Sequence, residues 1–329
     1  MEKILIATDT FEQVNGVSTT YKNILKVSDY NIEIIHPALF NYTSFRSYPE
    51  IQFCTQPFKV YKKIKGIKPS HIHIATEGPI GLVARMYCKF HKISFTSAYH
   101  TKFPEYLNIY FKFPIKIGYL LMRLFHKKSN SVLVPTQSCI NDLKKFGFKN
   151  LALWTRGVDK DLIKKRTNKK NNHKIKVLSV GRISKEKNVE VLCKLNDDFD
   201  ITIVGDGPEL KNLKTKYPNI NFPGYKFGKE LAELYSKNDV FCFTSKTDTF
   251  GIVIIEALCN GLPVAAYNVT GPKDLIKNRV NGFLGDNLKE NIIKCNELHK
   301  VEIQTNSTKK WSWKNCENIL IKHLLKTNP

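Results

Sequence analysis

Twice along this chain, at Lys3 and again at Lys176, a short apolar run leads into a loop containing glycine and then into a helical pattern. Residues 3–7 read as a buried strand, residues 8–16 as a loop closing on Asn15-Gly16, and residues 17–27 as a helix. The pattern restarts at residues 176–180. It continues through Gly181-Arg182-Ile183-Ser184-Lys185-Glu186-Lys187-Asn188 into a second helix. Further strands are expected over 32–35, 71–75 and 131–135 in the first half, and over 201–204, 240–243 and 264–266 in the second. Helical segments over 80–90 and 137–146 fall between them. Such alternation confines each half to an open, mostly parallel sheet, an α/β architecture of two domains with a cleft between them. Ligands then belong in the loops at the carboxyl ends of the strands. The first loop lacks Gly-x-Gly-x-x-Gly, so no dinucleotide site is expected there, and Gly16 on its own reads equally as a turn glycine.

The 329 residues are enough for two hydrophobic cores. A Lys- and Asn-rich stretch over residues 160–176 carries few apolar side chains and reads as a solvated connection. The expected division is residues 1–160, residues 161–310 and a terminal helical segment over 311–329. Gly205-Asp206-Gly207-Pro208 reads as a turn feeding a helix with proline in its first turn.

Hydrophobic content of 42% with 25% charged residues describes an ordered globular chain. No uninterrupted apolar run reaches the length of a membrane span, and the N-terminal run ends at Asp9, too short for a signal peptide. The eight cysteines form no Cys-x-x-Cys pair and have no histidine at ligand spacing, so they read as small core residues of a reducing, cytoplasmic compartment. The net charge of +23 has three competing explanations: a nucleic-acid face, an anionic membrane surface, or codon usage. Only seven of the 52 basic residues are arginine, and the lysines spread over the whole length. That distribution favours codon usage, and charge alone names no partner.

Chemistry concentrates in Thr247-Asp248-Thr249-Phe250-Gly251-Ile252 and the helix that follows. A helix whose first turn holds a glycine lets its unpaired N–H groups approach a ligand closely, and its positive end favours an anion such as phosphate. Glu256 lies further along and can accept hydrogen bonds from hydroxyls. Gly261 and Pro263 stop the helix. The plainer reading is an amphipathic helix with one exposed glutamate. Arg182 and Lys187 follow a strand end five residues apart, and both would face an anion near Gly251. Two cations and a helix dipole suit a departing diphosphate, on which charge grows as the bond to a sugar breaks. Each alone reads as a solvent-facing charge.

His100 falls at a strand end within Ala98-Tyr99-His100-Thr101-Lys102-Phe103-Pro104-Glu105-Tyr106, where function collects, although a lone histidine is more often packed or solvated. Over residues 105–128 aromatics interleave with Lys112, Lys116, Arg123, Lys127 and Lys128. A basic helix of this kind can lie on an anionic membrane, or it can pack on a core while its lysines reach water.

Together these residues resemble the retaining GT-B glycosyltransferases that include bacterial mannosyltransferases and plant sulfolipid synthases, family 4 among the group 1 glycosyl transferases. The resemblance covers nearly the whole chain. It rests on Asn15-Gly16-Val17, Glu77-Gly78-Pro79, the His100–Tyr106 segment, Arg156-Gly157-Val158-Asp159, Val180-Gly181-Arg182 with Lys187, Gly205-Asp206-Gly207-Pro208, and residues 248–264. It implies two Rossmann-like domains facing across a deep cleft, with the C-terminal helix crossing back to the first. It further implies a GDP- or UDP-sugar donor held mainly by the second domain, a lipid or glycan acceptor held by the first, and neither cofactor nor metal. Arg182 and Lys187 would contact the diphosphate, Glu256 the ribose, and Asp248 the transferred sugar. Phe250, Gly251 and Ile252 would line the donor, and Gly16 would give the phosphate room. His100 would lie near the reacting carbon, with Glu77, Thr101, Lys102 and Tyr106 on the acceptor side. Retention by same-face attack needs no enzyme nucleophile, and no general base is assigned.

One position departs from the family. Asp248 stands where its paired motif usually has glutamate, which leaves the sugar open. Asp159-Lys160-Asp161 matches a metal pattern of a different fold and is read here as structural. Lipid-modifying members dock by a basic N-domain surface, which makes residues 105–128 a candidate contact with the inner face of a membrane. A nucleic-acid-binding protein and a nucleotide-sugar epimerase of similar fold are the alternatives; no nucleic-acid partner is expected.

Overall fold

The computed structural model describes residues 2–45, 48–166 and 174–326, so residues 167–173 of the Lys- and Asn-rich connection lie outside the described residues. The chain divides into two compact units. One is Met1–Gly157 with Trp313–Pro329, the other Val158–Ser312.

The first unit runs β1 (Lys3–Ala7), α1 (Gly16–Val27), β2 (Asn31–Ile35), β3 (Tyr42–Phe45), β4 (Tyr48–Cys54), α2 (Pro57–Ile67) and β5 (His71–Ile74). It continues through α3 (Pro79–His91), β6 (Phe95–Ala98), α4 (Phe103–Phe111), α5 (Ile115–His126), β7 (Ser131–Val134), α6 (Gln137–Lys145) and β8 (Leu151–Leu153). Six strands form a parallel sheet in the order β2-β1-β5-β6-β7-β8, and β3–β4 is a separate antiparallel hairpin. Central strands such as β5 and β6 are buried along their whole length, as parallel strands covered on both faces must be. Helix starts are written locally. Asn15 caps α1, its side chain accepting from the Val17 and Ser18 N–H groups, and Thr136 caps α6 through the Cys139 N–H.

The second unit runs β9 (Lys176–Val180), α7 (Glu190–Cys193), β10 (Asp200–Val204), α8 (Leu210–Lys216), α9 (Gly228–Lys237), β11 (Val240–Phe243) and α10 (Ile252–Cys259). It ends with β12 (Val264–Ala266), α11 (Pro272–Leu275), β13 (Gly282–Leu284), α12 (Leu288–Asn296) and α13 (Lys300–Thr308). Its five strands are parallel in the order β10-β9-β11-β12-β13. The two-residue period of the strands sorts the core. Leu178, Phe241 and Phe243 pack with α10 on one face, while Val177, Val240 and Cys242 pack with α12 on the other. The last helix, α14 (Trp313–Leu325), belongs to the first unit and packs on α1, the crossing back that the resemblance implies.

Three expectations need correcting. Residues 105–128 are not one helix. Lys112 takes a left-handed conformation (φ 55°) that ends α4, and Pro114 caps a fresh start at α5. Pro208 precedes α8 by two residues instead of lying in its first turn, because Gly205 and Gly207 hold the preceding loop extended against the Gly181–Ile183 backbone. The helix after Asn188 is a single turn. No described helix is long and apolar enough to cross a membrane.

Candidate active site

In both sheets the chain places its first strand centrally, the second on one side and the next on the other. The strand order thus reverses at β1/β5 and at β9/β11. The carboxyl ends of those pairs are where a parallel sheet leaves a crevice for ligands.

In the second unit the loops after β9 and β11 meet at that point. The Lys187 ammonium contacts both carboxylate oxygens of Asp248, at 2.6 and 2.8 Å, and both side chains remain about a fifth exposed. Thr244 clamps the loop by donating its hydroxyl to the Lys187 carbonyl at 2.6 Å. Arg182 leaves β9 just after Gly181, its Nε 4.0 Å from the Glu186 carboxylate. Gly205 permits this loop to form. Its φ is 136°, and a Cβ there would sit 2.0 Å from the Gly181 carbonyl oxygen. Helix α10 starts from Gly251, whose φ of 89° turns the chain and which has no capping side chain on the first N–H groups. Phe250 is buried, with its ring edge-on to Trp311 at 5.9 Å, and Ile252 is half-buried.

Glu256 is not the exposed glutamate of the plainer reading. It is 8% exposed, and its Oε2 accepts the Tyr235 hydroxyl at 2.8 Å. Burial raises its carboxyl above the ordinary range despite that hydrogen bond. Among the described residues no three His, Cys, Asp or Glu side chains converge as a metal site. Asp159, of the Asp-x-Asp pattern, accepts the Asp161 N–H at 3.1 Å and caps a short turn.

In the first unit the corresponding point is built from the ends of β1, β5 and β6. Asp9, just past β1, accepts from the N–H groups of Ile80 (2.8 Å) and Gly81 (3.3 Å) at the start of α3, and from the Thr76 hydroxyl at 2.7 Å. Burial nonetheless raises its pKa. Gly16 opens α1 behind the Asn15 cap. His100 sits beyond β6 with both ring nitrogens engaged. Its Nε2 is 2.9 Å from the Tyr21 hydroxyl and its Nδ1 2.9 Å from an Arg156 Nη. Tyr21 also reaches His73 Nε2 at 2.8 Å, and His73 Nδ1 meets the Thr96 hydroxyl at 2.8 Å. Burial, with the Arg156 charge second, holds His100 well below the usual histidine range and His73 down at about 3.

Glu77 is paired with His126 Nε2 at 3.1 Å, both side chains being buried. Lys102 is buried 3.8 Å from Asp142, and Thr101 and Tyr106 are half-buried. Sequence reasoning named neither Tyr21, His73 nor Tyr235. The signal for His73 was present in the alternation His71-Ile72-His73-Ile74 inside a strand buried throughout, where a histidine needs partners.

Comparison with known proteins agrees with this layout. Residues 159–297 match the model described as Glycosyl transferases group 1, and residues 19–162 the model described as Glycosyltransferase Family 4. The chain is 31% identical over 246 residues to the sulfoquinovosyl transferase SQD2 of Arabidopsis thaliana, covering 69% of this chain and 48% of that protein. It is 29% identical over 239 residues to a GDP-mannose-dependent alpha-mannosyltransferase of Mycobacterium tuberculosis, covering 69% of this chain and 63% of the other. The chain thus spans less than two thirds of the length of these curated relatives. Among solved structures, HepE of Anabaena in complex with UDP-glucose superposes with a TM-score of 0.74 at 16% identity, covering 99% of this chain and 100% of that one. Sucrose-phosphate synthase of Thermosynechococcus elongatus superposes with a TM-score of 0.75 at 15% identity, covering 100% of each chain. The chain belongs to the glycosyl transferases of group 1 and has the GT-B fold.

Proposed function

We propose that this protein moves a hexose of the mannose or glucose type from a GDP- or UDP-sugar to a lipid or glycan acceptor, with retention of configuration and without a required metal. The observation that carries the reading is the Lys187–Asp248 pair, part exposed at the reversal of strand order and just ahead of the Gly251 start of α10. As the bond between the anomeric carbon and the diphosphate oxygen breaks, charge grows on that oxygen. Lys187, Arg182 and the N–H groups near Gly251 and Ile252 stabilise it. The acceptor hydroxyl attacks from the same face and its proton passes to the departing diphosphate, so no enzyme base is required.

Asp248 is assigned to the transferred sugar and Glu256 to the ribose hydroxyls through the oxygen that Tyr235 does not take. Gly16 gives the phosphate room, and from the first unit His100 is assigned to the sugar. The printed names of the relatives, sulfoquinovosyl and mannosyl transferases, and the UDP-glucose bound by HepE support a hexose and a nucleotide donor.

A lipid acceptor, reached at the cytoplasmic face of an anionic membrane, is supported by α5. Ile117, Leu120, Leu121 and Leu124 recur at helical spacing and stay 44–49% exposed, with Lys116, Lys127 and Lys128 on the same segment. Glu77, Thr101, Lys102 and Tyr106 are the acceptor-side candidates. The test is binding and slow hydrolysis of a panel of UDP-, GDP- and ADP-sugars by the purified protein in chelator. Tight binding of one donor with slow sugar release is the expected result. No binding to any, with salt-steep binding to nucleic acid instead, would overturn the reading.

A further inference from the structure

Five side chains of the first unit form one hydrogen-bonded line: Thr96, His73, Tyr21, His100 and Arg156. Thr96, His73 and Tyr21 are fully buried and Arg156 is 3% exposed. The direction of every link follows from one end. A guanidinium carries only donors and keeps its charge in a protein, so the atom facing it must offer a lone pair. At 2.9 Å that atom is His100 Nδ1, which places the single ring proton of His100 on Nε2. The Nε2–H then donates to the Tyr21 oxygen, the Tyr21 hydroxyl donates to His73 Nε2, and the His73 Nδ1–H donates to Thr96. Reversing the Tyr21–His100 link would leave His100 with no ring proton, and reversing a link beyond it would leave the Tyr21 hydroxyl without an acceptor in the line or His73 without a ring proton.

Arg156 is itself fixed. Its Nη1 donates to the Trp154 and Thr155 carbonyls at 2.8 and 2.9 Å, and its guanidinium carbon lies 4.3 Å from the centre of the Trp154 ring. The Trp154 indole N–H is held in turn by the Cys316 carbonyl of α14 at 2.8 Å.

We propose that Arg156, Tyr21 and His73 are positioning residues that hold His100 as the neutral Nε2–H tautomer, so that His100 does not serve glycosyl transfer as a base. Its role in transfer rests on the function proposed above; its tautomer does not. The Nδ1 lone pair is spent on Arg156 and the one ring N–H on the buried Tyr21 hydroxyl. The titratable and charged groups acting on His100 are Arg156, His73 and His126, and Glu77 acts on Tyr21. The Arg156 charge, like burial, opposes a second proton on His100.

The test is nitrogen NMR of the full chain labelled with 15N-histidine, with His100 assigned by its loss in His100→Gln and followed from pH 5 to pH 8. The expected wild-type result is a protonated Nε2, an unprotonated Nδ1 and no titration. In Arg156→Met the two tautomers mix, because the guanidinium no longer fixes Nδ1 as an acceptor, while burial continues to oppose a second proton. Tyr21→Phe shifts the Nε2 signal of His73 and lowers kcat about tenfold with little change in KM. A wild-type His100 protonated on Nδ1, or titrating between pH 5 and 8, overturns the inference. So does an Arg156→Met spectrum identical to wild type. If Arg156→Met does not fold, the wild-type titration and the His73 signal in Tyr21→Phe decide it. The spectra need no turnover, so a protein that transfers no sugar yet shows this tautomer loses the functional reading and keeps the assignment.

Discussion

Helices α3 and α10 occupy the same place in their two sheets. Each follows the strand that lies beside the unit's first strand, where the strand order reverses. Their N-termini are treated oppositely. On α3 the residue arriving from the end of β1 is Asp9, whose carboxylate lies on the first N–H groups. Gly78 makes room for it, since a Cβ there would sit 2.5 Å from Asp9 Cγ. On α10 the N-cap is Gly251, which has no side chain to offer the first N–H groups, and the residue arriving from beyond β9 is Lys187. One helix start holds the chain's own anion, and the other is preceded by a Lys187–Asp248 ion pair that keeps a cation at hand. On the proposed reading a diphosphate competes with Asp248 for Lys187 at α10 and meets the Asp9 carboxylate at α3.

Removing the cation breaks this contrast most sharply. Lys187→Ala is expected to lower sugar transfer by about a hundredfold or more, because on the proposed reading it removes the cation that stabilises the leaving diphosphate. Single-turnover release from the preferred donor, with folding checked by circular dichroism, measures it. Unchanged turnover would remove both the role of Lys187 and the distinction between the two crevices.

The matching change in the first unit should cost stability instead of chemistry. Asp9→Ala strips the acceptor from two α3 N–H groups and from Thr76. It is expected to lower the unfolding free energy by about 2 kcal/mol, read from urea midpoints. Donor affinity should stay within about twofold, the spread expected of a change remote from the ligand. Weakened donor binding with stability intact would mean that α3 also faces the ligand.

How far the sequence carried the fold depended on the range over which each feature is written. Strands such as β1, β9 and β11 are short apolar runs between breakers, and the strand–loop–helix order was legible from them. The places of Arg182, Lys187 and Asp248 at strand ends followed from that order. Their pairing did not, since 61 residues separate Lys187 from Asp248 and only the neighbouring of β9 and β11 joins them. The line through His100 is less legible still, with separations of 52, 79 and 56 residues between its partners. Helix α9 escaped notice because polar, lysine-rich surroundings blur its periodicity, and the β3–β4 hairpin because its short strands mix polar and aromatic side chains with no glycine turn between them. The break at Lys112 depends on one left-handed residue that propensity does not single out.

Glu256 offers the smallest effect and the finest test of which unit receives the ligand. Its folded-state pKa lies above the ordinary carboxyl value because burial disfavours the charge. The native state therefore holds a proton that the unfolded chain has already lost, and stability falls as pH rises from the ordinary carboxyl pKa through the raised one. Glu256→Gln has no such proton and can still accept from Tyr235. Its stability relative to wild type should therefore improve across that window, read as urea midpoints from pH 4 to pH 7. A constant difference would mean that the carboxylate is already satisfied without ligand. If the second unit binds the nucleotide, ribose hydroxyls donating to Glu256 favour the charged form, and saturating nucleoside diphosphate should flatten the wild-type slope while leaving the Glu256→Gln slope unchanged.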